Sequence, residues 1–303
     1  MKLPGVRMAS VVCTGVVTAD LVFRLPVPVD APVKYRATDS ALTAGGCALN
    51  AAAAVARLGG AAHLAGSVGA DALGDLVCAE MAAEGVATGL VARVAGVPTA
   101  RSAVLVGPGG ERTIANHRDP RLFAAAPVLP APFSFDAALA DTRWPEGGAA
   151  VLAAARAAGR PAVLDAENPV REASGALRAA SHVAFSELGL ADWAGEGDPA
   201  AALERAARDL GIWVCVTRGP APVLVHDGAA LFEVPVFAVT AVDTLGAGDV
   251  WHGAFALFLA EGFAPLAAVR RANAVAALKS SAFGGRSALP DRDQLDRFLK
   301  EHA

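Results

Sequence analysis

The chain has 303 residues, enough for one large α/β domain or two smaller ones, and its formal net charge is −4. Only 18% of the residues are charged, so the composition does not favour a nucleic-acid-binding surface. Hydrophobic residues make up 54%, but many are alanine and no run reaches the roughly 20 apolar residues of a spanning helix, which argues against a membrane protein.

Cysteine usage and the first residues indicate a cytoplasmic protein. Cys13, Cys47, Cys78 and Cys215 are scattered without CxxC or histidine spacing, which is typical of buried thiols in a reducing compartment. The first residues lack a charged segment followed by a long apolar run and a cleavage site. We therefore expect no signal peptide.

The first apolar run, residues 9–17, predicts a buried strand. It ends close to Asp20, and ligands of open parallel sheets bind beyond the carboxyl ends of the strands, so Asp20 is a candidate site residue; a turn former is the alternative. Residues 21–43 contain three prolines and short extended pieces, one of which carries Lys34. This stretch predicts a flap rather than part of the core.

A glycine pair precedes the first predicted helix. Gly45 and Gly46 lead into an alanine-rich segment, residues 47–58, that ends at another glycine pair. Asn50 lies in the first turns of this helix. Its amide either caps the helix or contacts solvent, or else it binds a sugar hydroxyl.

Two later runs predict a hairpin. Residues 99–106 and 112–116 read as extended segments, and the Pro-Gly-Gly sequence at 108–110 between them favours a tight turn. Together with the flap they would form a small sheet outside the main one. We call this predicted sheet the lid, formed by about 18–43 and 99–118.

Elsewhere the chain alternates strand and helix patterns, which predicts a mostly parallel sheet with helices on both faces, that is, a doubly wound α/β fold. No internal repeat or low-complexity linker divides the sequence, so we expect a single domain over residues 1–303, including the lid. The predicted strands are 62–68, 135–140, 162–164, 182–185 and 212–217, and the predicted helices are 73–84, 147–158, 170–179, 200–210, 265–282 and 291–301.

The stretch that ends at Asp249 has the chemistry of an anion site. Gly246 and Gly248 let the backbone approach a ligand closely, and the free N–H groups at the start of the helix predicted at 250–261 can hold a phosphoryl group. A carboxylate beside an anion site would repel the anion, so its presence needs an explanation. It is explained if Asp249 accepts a proton from a substrate hydroxyl while the amides hold the phosphoryl group that this hydroxyl attacks. The alternative is an aspartate that only caps the helix.

Other catalytic motifs are missing from the sequence. It contains no GxxxxGK[ST], no GxGxxG after the first strand, no GxSxG and no HExxH. The six histidines are dispersed, so a zinc site is not expected.

Two motifs together make the chain similar to the ribokinase-like (PfkB) sugar kinases. They are Gly45-Gly46-Cys47-Ala48-Leu49-Asn50 and Asp243-Thr244-Leu245-Gly246-Ala247-Gly248-Asp249, and the order of the elements between them also agrees. The resemblance implies a doubly wound α/β fold with a β-sheet lid over the sugar. It also implies ATP- and Mg²⁺-dependent phosphorylation of a sugar hydroxyl.

The resemblance assigns roles to single residues. Asp249 matches the general base, and the anion hole is matched by Gly246, Ala247 and Gly248. The positions that hold sugar hydroxyls are matched by Asp20, Gly45, Gly46 and Asn50, and nucleotide-side positions by Thr217, Gly219, Thr244 and Asn273, with Gly246 and Gly248. Asp243 and the backbone of 280–285 match a monovalent-cation region, so K⁺ is an expected cofactor beside ATP and Mg²⁺.

One segment departs from the family pattern. The usual Asn-x-x-Glu motif organises Mg²⁺ and phosphates, but Ser186 and Gly189 stand at those two positions here. Either Glu187 substitutes as the metal residue, or Mg²⁺ is held mostly by the ATP phosphates and water.

The departure points to one branch of the family, because the segments around residues 139–144, 184–190, 248–254 and 276–294 resemble the sulfofructose kinases. In that branch a Lys, an Asn and an Arg hold the sulfonate, and the matching residues are Lys34, Asn116 and Arg143. An Arg fork and a Lys point charge suit a tetrahedral anion. The alternative is a solvated Lys34 and an Arg143 that pairs with Asp141 or Glu146.

We therefore expect an ATP-dependent kinase that phosphorylates 6-deoxy-6-sulfofructose at the 1-hydroxyl. A kinase for another ketose or ketose phosphate (fructose, fructose 6-phosphate or tagatose 6-phosphate) is the first alternative, and a sugar-binding sensor without turnover is the second. Exposed strand edges need covering, and members of this family often pair their lids, so we expect a homodimer through the lid. Neither nucleic acid nor membrane is an expected partner.

Overall fold

The structure is a computed structural model that describes residues 8–302. Within this range the main sheet has nine strands. Their order is β13-β12-β11-β10-β9-β8-β1-β4-β5, parallel from β5 to β11 and antiparallel at β12 and β13. The strands are β1 (Ser10–Thr14), β4 (Ala61–Gly69), β5 (Ala87–Val94), β8 (Ala137–Asp141), β9 (Ala162–Ala166), β10 (His182–Ser186), β11 (Trp213–Arg218), β12 (Ala221–His226) and β13 (Leu231–Val234).

Helices cover both faces of this sheet, as the alternating pattern predicts. Successive residues of β1 show why: Val11 and Cys13 enter one core layer and Val12 the other, and all three are fully buried. The first layer contains α1 (Cys47–Arg57), α2 (Ala72–Ala83), α7 (Ala247–Ala260), α8 (Pro265–Ser280) and α9 (Arg292–Glu301); the second contains α3 (Pro145–Ala157), α4 (Ser174–Ala179), α5 (Glu187–Ala194) and α6 (Pro199–Leu210).

The lid is a separate four-stranded sheet in the order β3-β2-β6-β7, which confirms the predicted small sheet and its hairpin. Its strands are β2 (Thr18–Arg24), β3 (Asp39–Gly45), β6 (Arg101–Val106) and β7 (Arg112–His117). Thr43, Asp20, Ser102 and Asn116 are paired across the four strands in one row. Paired residues share a face of a sheet, so these four side chains lie on the same face of the lid.

Some predicted elements differ from the structure. The run 9–17 does not form one strand: β1 ends at Thr14, and Asp20 lies inside lid strand β2. The chain leaves the sheet at Gly15, where a Cβ atom would lie 1.9 Å from Asp141 Oδ2, so this position has room beside the carboxylate only because it is glycine. Strand β5 and the short helix α5 were not predicted, because β5 is an edge strand with mixed exposure and α5 has only eight residues.

The described part of the chain contains no helix with both the length and the apolar character needed to cross a bilayer.

Candidate active site

Two helix N-termini meet at Asp249. This residue is in the first turn of α7, and its Oδ2 accepts a hydrogen bond of 2.8 Å from Nδ2 of Asn50, in the first turn of α1. The Cys47 thiol, at the start of α1, is close enough to the Asp249 carboxylate to lower its pKa. The carboxylate therefore lies near the positive ends of two helix dipoles, which favour a negative charge.

Burial raises the pKa of Asp249 above its ordinary value, while the hydrogen bond from Asn50 and the nearby Cys47 thiol oppose this rise. Behind it, His252 Nδ1 lies 3.5 Å from Asp165 Oδ2, and both side chains are buried. Burial lowers the pKa of His252 and, with the charge of Asp249, raises the pKa of Asp165. Asp249 is thus an ionisable carboxylate with a raised pKa, suited to accepting a proton from a hydroxyl.

The loop before α7 has the backbone shape expected of an anion hole. Gly246 is the N-cap of α7 with φ of 70°, the left-handed region that favours glycine. The amide of Ala247 donates to Thr244 O at 3.2 Å, so this N–H group closes the turn. The following first-turn amides, of Gly248 and Asp249, have no acceptor within the helix and can hold an anion.

Three of the predicted sugar-binding residues, Asp20, Gly45 and Asn50, line a cavity between the lid and the α7 loop. This lid-side cavity has a volume of about 450 Å³, and Asp20, Gly45, Asn50 and Gly246 are among its lining residues. A Cβ atom on Gly45 would lie 2.0 Å from Asp20 Oδ2, so any larger residue here would push the Asp20 carboxylate out of its place. Gly46 is required as well: its φ is 113°, and a Cβ atom would lie 2.1 Å from the Val16 carbonyl oxygen.

The predicted nucleotide-side residues are in different settings. Thr217 is at the end of β11 and donates to Phe185 O at 3.3 Å, Gly219 forms the turn after it with φ of 55°, and Thr244 is exposed. Asn273 is buried; its Oδ1 accepts from Trp251 Nε1 at 2.7 Å and its Nδ2 donates to Pro235 O at 3.0 Å. Because both ends of this amide are engaged inside the protein, Asn273 supports the fold rather than contacting a nucleotide.

The altered metal segment has a structural explanation. Ser186 is the N-cap of α5, where its Oγ accepts from the Gly189 amide at 2.9 Å. A Cβ atom on Gly189 would lie 1.8 Å from Ala166 O, so the position has no room for the usual glutamate. Glu187 is exposed. In the range 8–302, no group of three or more His, Cys, Asp or Glu side chains could hold a metal ion.

The three predicted sulfonate ligands are distributed over the lid and the sheet edge. Lys34 is exposed in the loop between β2 and β3, and Asn116 shares the lid face of Asp20. Arg143 does not line the lid-side cavity; it lines a second cavity of about 310 Å³ together with Arg118 and Glu172.

The Arg143 guanidinium donates to Asn168 O at 2.5 Å. Arg143 contacts the Asp141 carboxylate through its backbone amide and not through its guanidinium. Among the described residues, neither Arg143 nor Arg118 forms an ion pair. The described residues therefore contain no ion pair of Arg143 with Asp141 or Glu146, which was the predicted alternative.

Several buried polar residues at the site were not among the predicted site residues. Asp141 is buried and accepts hydrogen bonds from the amides of Val16, Ala48 and Arg143, and burial raises its pKa to about 7. Asp165 and His252 are described above. The only sequence signal for the two aspartates is their position at the ends of predicted strands, and none marks His252.

The fold is a doubly wound sheet with a lid, and the site places a carboxylate beside free helix amides. Together these are the features of a sugar phosphotransferase. Residues 8–292 match the family model described as pfkB family carbohydrate kinase. The chain therefore belongs to the pfkB family of carbohydrate kinases.

Known proteins agree with this assignment. The chain is 34% identical to a crystal structure described as a "putative ribokinase" from Agrobacterium tumefaciens, with a TM-score of 0.93 over 98% of this chain and 99% of that one. Ribokinases from Bacillus subtilis (39% identical over 84 residues, 28% of this chain) and Lactococcus lactis (34% over 103 residues, 34% of this chain) are also similar. The matched segments span 29% and 34% of those two relatives' own lengths.

Proposed function

We propose that this kinase transfers the γ-phosphoryl group of ATP to the 1-hydroxyl of 6-deoxy-6-sulfofructose. The observation that carries the sugar-kinase chemistry is the pairing of Asn50 and Asp249 at the mouth of the anion hole. The observation that favours an anionic sugar is Arg143, whose guanidinium has no ion pair among the described residues. It lines the second cavity, where Arg118 adds another positive charge and Glu172 the one carboxylate of the lining.

In this mechanism Asp249 accepts the proton of the 1-hydroxyl as its oxygen attacks the γ-phosphorus of ATP and ADP leaves. The first-turn amides of α7 hold the negative charge of the phosphoryl group during transfer. Asp20 and Asn50 bind the other sugar hydroxyls. Thr217, Gly219 and Thr244 contribute the nucleotide side of the site.

Mg²⁺ would reach the site largely with the nucleotide. The segment 186–189 offers one exposed carboxylate, Glu187, and a single carboxylate suits a cation that keeps water and phosphate ligands. When bound, Mg²⁺ neutralises charge on the phosphates. Glu187 is the residue that we assign to its water shell.

The sulfonate would be held by Arg143, with Lys34 and Asn116 brought from the lid. Arginine suits this role because its planar fork donates two hydrogen bonds to one oxyanion. A hydrogen bond to a charged group contributes about 1.5–3 kcal/mol, that is, about ten- to a hundredfold in kcat/KM.

The test compares Arg143→Ala with the wild type on sulfofructose and on fructose, with ADP release as the readout. We expect kcat/KM for sulfofructose to fall by about ten- to a hundredfold, and that for fructose by much less. Arg171→Ala is the matched control, since Arg171 is exposed and lines neither cavity. Equal losses on both sugars would contradict the sulfonate assignment.

A kinase for another sugar is the second candidate, favoured by the ribokinase names of the similar proteins. It would keep Asp249 and the anion hole and differ at the sugar terminus. Ribose, fructose, fructose 6-phosphate and tagatose 6-phosphate are the sugars to compare. A sensor without turnover is the third reading, and ADP release with any of these sugars would exclude it.

We further propose a cytoplasmic homodimer that pairs through the lids. On the lid face opposite Asp20, Leu21 and Leu42 are paired in register and are 39% and 44% exposed. Covering them in a partner would remove apolar area from water. Sedimentation velocity of the wild type should show a dimer and Leu42→Glu a monomer; a monomeric wild type would contradict the proposal.

A further inference from the structure

Lys279 is a buried lysine close to the anion hole. It lies in the last turn of α8 and is only 1% exposed, although lysines are rarely buried without a partner. The chain has four lysines, so this position is unusual within a sequence whose basic residues are mostly arginine. Its side chain also lines the lid-side cavity, as Gly246 and Gly285 do.

The Lys279 ammonium group binds the segment that leads into the anion hole. Its Nζ donates to Asp243 O at 2.8 Å and lies 3.3 Å from Asp243 Oδ2. These contacts join the end of α8 to the start of the loop that ends at Asp249. Burial lowers the pKa of Lys279, and the negative charge of Asp243 opposes this.

The oxygen atoms of Asp243 are all engaged by donors from the protein itself. Its Oδ1 accepts from the Leu245 amide at 2.9 Å, and its Oδ2 accepts from the Gly285 amide at 3.0 Å. The carbonyl of Ser280, in the same region, accepts from the amides of Val242 and Asp243 at 2.8 and 3.1 Å. Hydrogen bonds from Leu245 and Gly285, and the Lys279 charge, hold the pKa of Asp243 below its ordinary value despite partial burial.

This arrangement does not fit a bound K⁺. Alkali cations are held by rings of oxygen atoms that replace their water shell, and here N–H and ammonium donors point at those oxygens. A second positive charge beside the Lys279 ammonium would also be repelled. The expected K⁺ site at Asp243 and 280–285 is therefore not a cation site in this chain.

We propose that the Lys279 ammonium replaces the monovalent cation of this region, so that the kinase works without K⁺. An ammonium group is a compact single charge with three donors, which can bind the same oxygens as a monovalent ion. Lys279 is a positioning residue: it neutralises Asp243 and fixes the loop that carries the anion hole. Two experiments test this role: one measures activity and rests on the proposed function, and the other measures thermal stability and does not.

The first experiment measures wild-type turnover with tetramethylammonium as the sole monovalent cation, against the same ionic strength of K⁺. We expect equal kcat/KM in both. Lys279→Ala should lose about ten- to a hundredfold in tetramethylammonium, because the anion hole is misplaced, and recover most of it in K⁺ or NH₄⁺. Lys279→Met fills the same space without a charge, so it should lose activity in all salts.

The second experiment measures melting temperature and needs no turnover. K⁺ and NH₄⁺ should raise the melting temperature of Lys279→Ala above its value in tetramethylammonium, and leave those of the wild type and of Lys279→Met unchanged. Lys300→Ala, at an exposed lysine of α9, is the control and should behave as the wild type.

A wild type activated tenfold or more by K⁺ would overturn the proposal, and so would a Lys279→Ala variant with neither activity nor stability restored by small cations. If no sugar is phosphorylated but the melting temperatures behave as expected, the proposed function fails and the role of Lys279 stands.

Discussion

Removing the hydrogen bond between Asn50 and Asp249 should change the pH dependence of catalysis in a defined direction. The Asn50 amide donates to Oδ2 of Asp249 at 2.8 Å, and it stabilises the ionised form that we propose as the base. Without it, the pKa of Asp249 rises further, so a larger fraction of the enzyme is protonated and inactive at acidic pH. Asn50→Ala should therefore move the acidic limb of the kcat/KM profile to higher pH.

The size of the effect follows from the energy of the bond. A hydrogen bond to a charged group contributes about 1.5–3 kcal/mol, and each 1.4 kcal/mol is a factor of ten, so the loss on the acidic limb is about ten- to a hundredfold. On the alkaline plateau Asp249 is ionised in both proteins, and only the loss from sugar binding remains. The loss on the acidic limb minus the loss on the alkaline plateau therefore measures the effect of Asn50 on the pKa of Asp249.

The assay is ADP release from pH 5 to 9, with Asp20→Asn as the matched control. Asp20 lines the same cavity, but its carboxylate accepts a hydrogen bond from Thr18 Oγ1 rather than binding Asp249, so its variant should lose kcat/KM equally at every pH. An Asn50→Ala profile whose acidic limb stays at the wild-type pH would refute this reasoning.

Two other substitutions test the base and the altered metal segment. Asp249→Asn should lower kcat by about a hundred- to ten-thousandfold while calorimetry still detects sugar binding; near-normal turnover would remove Asp249 from its role. Gly189→Ala should lower the free energy of unfolding by about 1–3 kcal/mol in urea titrations, because its Cβ would lie 1.8 Å from Ala166 O. Gly175→Ala, whose Cβ would make an ordinary 3.5 Å contact with the Ala149 Cβ, should be neutral or stabilising, and an equal loss at both glycines would contradict this explanation.

Local pattern sufficed for much of the fold. The strand–helix alternation predicted the parallel sheet, and the glycines at 45–46 and 246–248 predicted the two helix starts that meet at Asp249. These features depend on short-range physics, namely buried periodicity and the conformational freedom of glycine. They can therefore be recognised within a few residues of the chain.

The predictions were incomplete where partners are distant in sequence. Strand β1 ends at Thr14, and the next residue, Gly15, lies against Asp141, which is more than a hundred residues away. The ion pair of Lys279 joins it to Asp243, 36 residues earlier, and no local pattern marks it. Asn273 was assigned to the nucleotide from its motif position, but contacts with Trp251 and Pro235 occupy its amide.

The most direct test of the central claim is the wild-type kcat/KM for sulfofructose, measured beside fructose, fructose 6-phosphate, tagatose 6-phosphate and ribose in one ADP-release assay. The account predicts the highest value for sulfofructose, with the phosphate on the 1-hydroxyl of the product. A higher value for any of the other sugars would contradict the sulfonate assignment, and no turnover with any of them would contradict the kinase mechanism at Asp249.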